Sequence, residues 1–362
     1  MDPIAHTLVG GALAQTGLAR KTRFGAAALI VGANLPDIDG LAYFWGGDAG
    51  LHFRRGWTHG LPAVFVLPLI LAGVIYLTER LWPRGRSTFR WRSLLLVSYL
   101  GVATHPVLDW LNTYGMRWLM PFNDRWFYGD GVFIIDPWIW LILGGAVFLG
   151  HSTTRNSLFA WTILGCLMTL LMLGSVPGLP AAKALWLASV VALVLWRIFR
   201  RPLEVAKSRL ARVALAATAV YIAVMVSSAR YGRELVIKEL SRQGIDVVDL
   251  MVGPVPINPF VRDVVVSTPE SYKHGSLDLF PRVELRLEPH EIPRLQNSRL
   301  MDEALEAPHV RGFKNWVRFP FVELEETPSG CVIHVMDARY TRARTRGFGA
   351  AVVPTGTSCP SF

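Results

Sequence analysis

The chain has 362 residues, of which 52% are hydrophobic and only 18% are charged. About a quarter of the residues in a soluble globular domain are usually charged, so this composition excludes an ordinary soluble protein. The net charge of +10 does not indicate a nucleic-acid partner, because the basic residues lie in short loops between apolar runs and no nucleic-acid-binding motif accompanies them.

Two short apolar segments rich in Ala and Gly come first along the chain, Ile4–Ala19 and Phe24–Ala33. Their small side chains allow helices to pack closely in lipid. We predict a short helical hairpin over residues 3–34, only partly inserted in the bilayer.

Six longer apolar runs follow, and most approach the roughly 20 residues that an α-helix needs to cross a bilayer. Lys183 and Arg197 flank one run, where their side chains can reach the membrane interfaces. The runs are Leu61–Leu77, Ser93–Leu108, Gly131–Gly150, Asn156–Ala182, Ala184–Trp196 and Val213–Ala229. The predicted fold is mainly α, with a polytopic helical membrane domain over residues 1–229 that has about six spans.

Basic residues are distributed unevenly between the loops on the two sides of these spans. One set of loops holds most of them, including Arg20, Arg86 and Arg201, and the opposite short loops hold few. The positive-inside rule places the richer set in the cytoplasm. The His- and Asp-bearing segments of the first 110 residues then face the outer side of the membrane, as does the chain after Arg230.

Residues 230–362 carry frequent charges and several short runs rich in Val, Ile and aromatic residues, separated by Gly, Pro and Asn. Such runs are typical of short strands. The predicted strands are Ile245–Val252, Arg262–Thr268, Val283–Leu287, Trp316–Leu324 and Cys331–Tyr340. Three prolines in Val252–Pro259 predict a turn or an extended loop there. We predict an extracytoplasmic β-rich domain that serves either as a lid over substrate or as a stabilising domain.

The chain has three cysteines, and their spacing does not indicate a zinc site because no Cys-x-x-Cys occurs. Cys166 lies in an apolar run, which predicts a core position. Cys331 and Cys359 can pair, although their spacing does not require it.

The pair His105 and Asp109 has the spacing of two metal ligands on a helix. Residues four apart project from one helix face. His nitrogen and carboxylate oxygen are ordinary ligands of zinc and similar divalent metals. The alternative is structural, with an Asp near the helix end that hydrogen-bonds a neighbouring His.

Asp37 and Asp39 follow Pro36 in a pattern that is also typical of a turn or a helix cap. Two acids beside apolar segments need a cationic partner. A metal ion can be that partner, and so can Arg54 or Arg55. Arginine also binds phosphate in a bidentate way, or it contacts lipid headgroups at the interface.

The predicted topology gathers His6, Asp39, His59 and Asp109 at one side of the membrane, and that topology rests on Lys and Arg alone. His52 and His59 flank the two arginines. The residues that could bind a metal therefore lie on the same predicted side of the membrane, which favours a single site over unrelated, scattered polar residues.

Four motifs carry a resemblance to a known family: MDPIAHTLVG, NLPDID, HFRRGWTH and HPVLDW. The chain resembles the predicted membrane-bound metal-dependent hydrolases of the LexA-regulated inner-membrane hydrolase type, specifically over residues 1–140 and loosely elsewhere. The order of His and Asp is also similar to part of the zinc phospholipase C / P1 nuclease superfamily.

This resemblance implies a set of metal ligands and a metal. The ligands would be His6, Asp39, His59, His105 and Asp109. Asp37 would be a further ligand or a partner of one, and the metal would be zinc, with manganese as the alternative. The soluble enzymes carry an additional His-x-x-x-Glu pair that has no counterpart in this sequence, so one or two metal ions are expected rather than three.

The sequence therefore predicts a membrane-bound, phosphoesterase-like metal-dependent hydrolase. Its expected substrate is a phosphoester in a lipid or lipid-linked molecule, with Asp37 or Asp39 as general base and Arg54 and Arg55 beside the phosphate. The alternatives are a transporter or ion pathway, and a non-catalytic membrane scaffold that binds partners through its tail. An intramembrane metalloprotease is disfavoured because no His-Glu-x-x-His occurs.

Overall fold

The computed structural model describes residues 1–82, 89–174, 180–199, 207–294, 299–328, 330–341 and 349–354. The chain forms two compact units. The first comprises residues 1–38, 55–228 and 254–259, and the second comprises residues 39–54, 229–253 and 260–362. The domain boundary expected at residues 229 and 230 stays a prediction, since each unit includes a short segment from the other side of it.

The chain up to residue 242 is helical in the described residues, apart from its turns and loops. A 3-10 helix, Leu35–Trp45, follows the α-helix Gly25–Gly32 and carries Asp37 and Asp39. The α-helices are α1 Pro3–Gln15, α2 Gly25–Gly32, α3 Gly47–Phe53, α4 Leu61–Leu81, α5 Trp91–Trp110, α6 Pro137–His151, α7 Arg155–Gly174, α8 Pro180–Phe199 and α9 Lys207–Arg242.

Within the described residues, four helices are long and apolar enough to cross a membrane: α4, α7, α8 and α9. Few residues of their apolar stretches are buried by protein; in α8 the share is 6%. Exposed apolar surface of this extent requires a lipid environment. The other two predicted spans also form helices, as α5 and the 15-residue α6.

Local sequence explains where the first helix begins. The Asp2 carboxylate accepts hydrogen bonds from the backbone N–H groups of Ile4 and Ala5, both at 3.0 Å, and Pro3 occupies the first turn. A side-chain cap and a proline at this position both favour helix initiation. This helix start fixes the position of His6 one turn later.

Two glycines let α1 and α5 pack directly against α2. A Cβ atom on Gly10 would lie 2.8 Å from the backbone of Ile30, and a Cβ on Gly101 would lie 2.9 Å from the carbonyl oxygen of Leu29. Larger residues would push the helices apart. His6 and His105 each lie one turn from these contacts, so the packing brings the two side chains together.

The second unit contains two antiparallel sheets, with strand orders β1-β2-β3-β4 and β5-β6-β7. A shared apolar core joins the two sheets. Tyr272 and Ile292 contribute to it from the first sheet, Phe321 contributes from the second sheet's first strand, and Phe319 contributes from the position just before that strand. The strands and the remaining α-helices are β1 Asp249–Pro254, β2 Val261–Ser267, β3 Ser271–Asp278, β4 Glu284–Pro293, α10 Arg299–Glu306, α11 Arg311–Trp316, β5 Pro320–Thr327, β6 Gly330–Asp337 and β7 Ala350–Pro354.

These elements confirm the predicted fold class, a mainly helical protein with a β-rich domain after the membrane helices. One detail was wrong: Cys166 is exposed on α7 instead of buried in the core. An apolar run in a membrane helix need not face protein, because lipid accepts apolar side chains equally well.

Candidate metal centre

The two histidines next to the glycine contacts stack on each other. The rings of His6 and His105 lie 3.7 Å apart between centroids, with planes 16° from parallel. Both side chains are fully buried. Two buried imidazoles in contact are costly unless other groups bind their nitrogens.

A backbone carbonyl fixes the orientation of His105. Its Nδ1 donates to the carbonyl oxygen of Ala33, 2.7 Å away, at the end of α2. The opposite nitrogen, Nε2, then carries a lone pair in the neutral imidazole. Metal-binding histidines are commonly held by such a hydrogen bond from the second ring nitrogen.

His59 approaches the same point from the turn that precedes α4. Its Nε2 lies 3.1 Å from Nε2 of His105, and its Nδ1 lies 3.0 Å from Oγ1 of Thr58. The following residue must be small, because a Cβ on Gly60 would lie 2.4 Å from the carbonyl oxygen of Met120. The close contact between Gly60 and Met120 therefore fixes the position of the backbone next to His59.

The Asp109 carboxylate contacts all three histidines. Oδ1 lies 3.2 Å from Nε2 of His6, and Oδ2 lies 3.3 Å and 3.6 Å from Nε2 of His59 and His105. The Met1 nitrogen also contacts Oδ1. Asp109 is therefore the anion at the centre of this cluster.

The buried Arg55 holds Asp109 in place. Its Nε lies 2.8 Å from Oδ2 of Asp109, and its Nη1 donates to Oδ1 of Asn112 at 2.9 Å and to the Gly115 carbonyl at 3.1 Å. The guanidinium also lies over the Tyr114 ring, 4.4 Å from the centroid. With 3% of its side chain exposed, Arg55 fixes the carboxylate from the interior.

Asp37 completes a group that can hold a metal ion. One ligand atom from each of Asp37, His59, His105 and Asp109 lies within 4.8 Å of the others. Asp37 Oδ1 is 3.4 Å from Nε2 of His105 and 3.9 Å from Nε2 of His59. Its side chain is 14% exposed, whereas the other three are fully buried.

These separations fit one divalent ion. In a tetrahedral zinc site with metal–ligand distances of about 2.0–2.1 Å, two ligand atoms lie roughly 3.3–3.4 Å apart. Five of the six separations within the group are 3.1, 3.3, 3.4, 3.6 and 3.9 Å, and all six are within 4.8 Å. Two imidazole nitrogens and two carboxylate oxygens also form a donor set that zinc or manganese accepts.

The structure distributes the predicted site residues between the two units. His6, Asp37, Arg55, His59, His105 and Asp109 come together in the first unit. Asp39 and Arg54 belong to the second unit, where they form an ion pair with each other. His52 also lies in the second unit, with its Nδ1 3.3 Å from Nδ2 of Asn315.

Sequence reasoning did not identify Asn112 as part of the site. Asn112 is fully buried, and its side-chain oxygen accepts from both Arg55 and the backbone N–H of Tyr114. Its position three residues after Asp109, just beyond the end of α5, was the available signal.

The fold and this cluster define an integral membrane protein with a buried group of His and Asp residues that can hold a metal ion. The chain belongs to the YdjM inner membrane protein family, whose model matches residues 1–232. The matched region contains every residue of the group.

Two relatives match shorter regions. Protein YfhP of Bacillus subtilis is 28% identical over 114 residues, which cover 32% of this chain and 33% of that protein. Inner membrane protein YbcI of Escherichia coli is 36% identical over 102 residues, which cover 27% of this chain and 54% of that protein. The chain thus spans about a third and about half of the lengths of these relatives. No solved structure matches the chain.

Proposed function

We propose that the protein is a metal-dependent hydrolase of a phosphoester in a lipid or lipid-linked substrate. The observation that carries this proposal is the group of Asp37, His59, His105 and Asp109, whose ligand atoms converge within 4.8 Å. Zinc is the favoured ion, with manganese as the alternative. A divalent ion supplies Lewis acidity, which activates water and stabilises charge on a phosphoryl oxygen.

The protein's own residues hold the donor atoms in place. The Ala33 carbonyl orients His105, Thr58 orients His59, and Arg55 fixes Asp109. We assign Arg55 a positioning role, because its guanidinium is buried among Asp109, Asn112 and Gly115.

The roles of the remaining predicted site residues follow from their contacts. We assign to Asp37 the ligand position that the family resemblance implies for Asp39, since Asp37 is a member of the converging group. Asp39 is paired with Arg54, which argues against a phosphate-binding role for Arg54. His6 supports the site through its contact with Asp109 and its stacking on His105.

Two observations support an extracytoplasmic location for the site and the second unit. Basic residues concentrate in one set of loops, and the positive-inside rule places those loops in the cytoplasm and the site on the opposite side. Cys331, in β6 of the second unit, is disulfide-bonded. Disulfides persist in oxidising compartments outside the cytoplasm. A site on that side meets the outer leaflet, where lipid phosphoesters are exposed.

The test is a hydrolysis assay on the full-length protein in detergent. Purified protein is incubated with bis(p-nitrophenyl) phosphate and, separately, with phospholipid vesicles, with zinc or manganese added and then removed by chelation. Metal-dependent hydrolysis that His105→Ala and Asp109→Ala abolish supports the proposal. Wild-type protein that neither binds metal nor responds to it sinks the hydrolase assignment and favours the transporter or scaffold alternatives.

A further inference from the structure

A groove of about 610 Å³ lies among α6, α7 and α8 in the first unit. Trp140 and Phe148 mark its extent along α6, Trp161 and Leu170 mark its extent along α7, and Trp186 lines it from α8. Trp140 and Phe148 are eight positions apart on α6, so the groove is about 12 Å long there at 1.5 Å per residue.

The walls of the groove are apolar. Its lining, taken over the described residues, includes no charged side chain. The lining hydroxyls already have partners, because Thr169 accepts from the Trp186 indole at 3.1 Å and Thr162 donates to the Leu158 carbonyl at 2.9 Å. A ligand of this groove therefore gains contact with hydrocarbon surface and few hydrogen bonds.

The missing side chains of glycines create part of this space. A Cβ atom on Gly165 would meet nothing within 4 Å, whereas a Cβ on Gly145 would lie 3.1 Å from Leu193. Gly165 thus leaves open volume on the α7 wall. A large side chain at Gly165 would occupy the groove without a backbone clash.

A series of contacts links one end of the groove to the metal centre. Trp140 lines that end, and its indole nitrogen donates to both carboxylate oxygens of Asp2 at 3.1 Å. Asp2 caps the helix that carries His6, and His6 contacts Asp109. A smaller cavity of about 170 Å³ shares Trp140 and continues the apolar surface past Met172.

We propose that this groove binds one hydrocarbon chain of a membrane lipid. Two of its three walls, α7 and α8, are membrane-spanning helices, so the bilayer is the surrounding medium. Its volume lies within the roughly 300–1,000 Å³ of small-molecule sites, and a packed helix about 10 Å wide would need more space. This inference rests on the proposed function in one respect: the bound hydrocarbon chain would belong to the lipid whose phosphoester reaches the metal centre.

The test uses photocrosslinking in nanodiscs. Full-length protein is reconstituted with phosphatidylethanolamine that carries a diazirine in one acyl chain, and the crosslinked peptides are mapped after irradiation. We expect crosslinks concentrated on Trp140–Phe148, Trp161–Leu170 and Trp186–Val194. In Gly165→Phe we expect at least a fivefold loss of these crosslinks. The matched control is Gly73→Phe on α4, where a Cβ would also meet nothing within 4 Å.

Other outcomes overturn the inference. Crosslinks spread equally over α4 and α9 would indicate ordinary lipid contact, and equal crosslinking in Gly165→Phe would show that the groove is not the site. Loss of a dimer in Gly165→Phe, measured by light scattering, would instead identify the groove as a contact between two copies.

The same variants separate this inference from the proposed function. Hydrolysis of bis(p-nitrophenyl) phosphate, which has no long chain, is measured alongside crosslinking. If Gly165→Phe hydrolyses this compound normally but loses at least fivefold on vesicle phospholipid, both proposals are supported. If wild type crosslinks in the groove but never hydrolyses either compound, the proposed function fails and the chain-binding site stands.

Discussion

Nε2 of His59 lies 3.1 Å from Nε2 of His105, although 46 residues separate them in the sequence. The N–H on the other nitrogen of His105 is donated to Ala33, so a lone pair of His105 points at His59. Two carboxylates, from Asp37 and Asp109, lie within 4 Å of this contact. A cation between the rings would satisfy all four groups.

We expect wild-type protein to carry close to one equivalent of zinc or manganese, and His59→Ala or His105→Ala to lose it. Each substitution removes one of the two nitrogen ligands. Metal content of detergent-purified protein, measured by mass spectrometry, tests this. His309→Ala is the control, because His309 lies in the second unit, outside the group. Metal retained in both histidine variants would contradict the assignment.

Asp37 and Asp39 are expected to behave differently although they are two residues apart. Asp37→Asn removes an anionic ligand and should weaken metal affinity by more than about tenfold, as losses around metal sites commonly do. Asp39→Asn breaks the ion pair with Arg54, and this variant should keep the affinity because Asp39 lies outside the converging group. Competition titration with a zinc-binding dye measures both constants. The reverse order of affinities would restore Asp39 as the ligand.

Removing Arg55 should destabilise the first unit as well as the site. Arg55→Ala removes a buried cationic partner of Asp109, and losing one member of such a pair costs about 3–5 kcal/mol. We expect a lower thermal midpoint of the detergent-solubilised protein and reduced metal content. Arg54→Ala is the matched control. Equal effects of the two substitutions would argue against the positioning role.

The glycine contacts between helices predict a steric effect. Gly10→Leu places side-chain atoms where the backbone of α2 already lies, because even a Cβ would be 2.8 Å from Ile30. We expect separation of α1 from α2 and loss of metal with it. Gly73→Leu tests the general cost of a larger residue on a membrane helix. Size-exclusion profiles and metal content of the two variants provide the comparison, and normal metal content in Gly10→Leu would refute the packing argument.

Tyr272 links pH to the stability of the second unit. Burial raises the pKa of its phenol from 10.0 to about 12, and its hydroxyl donates to the Pro320 carbonyl at 3.0 Å. The neutral form is favoured in the folded state, so this stabilisation is complete below pH 10 and is lost as the pH rises toward 12.

Tyr272→Phe should cost about 1 kcal/mol near neutral pH, which is typical of one hydrogen bond. The variant should also lose less stability than wild type between pH 10 and 12. Unfolding curves of the full-length protein at pH 8 and pH 11 measure this difference. Parallel curves for the two proteins at both pH values would show that Tyr272 is not the titrating group.

The β-rich domain shows where sequence patterns were insufficient. The expected strand near Arg262 corresponds to β2, but β3, with the sequence SYKHGSLD, was not predicted. It lacks a clear run of β-branched residues, and pairing with β2 and β4 on its two sides stabilises it as a strand. Such non-local pairing overrides intrinsic strand preference.

The sequence by itself determined the membrane helices and the spacing of His105 and Asp109, since both depend on local properties: apolar length and the helical repeat. Only the tertiary structure decided that Asp37 joins the group while Asp39 pairs with Arg54, and that Arg55 holds Asp109. These choices depend on how close separate segments approach. The close packing at Gly10 and Gly101 controls that approach, and no periodic pattern in the sequence encodes it.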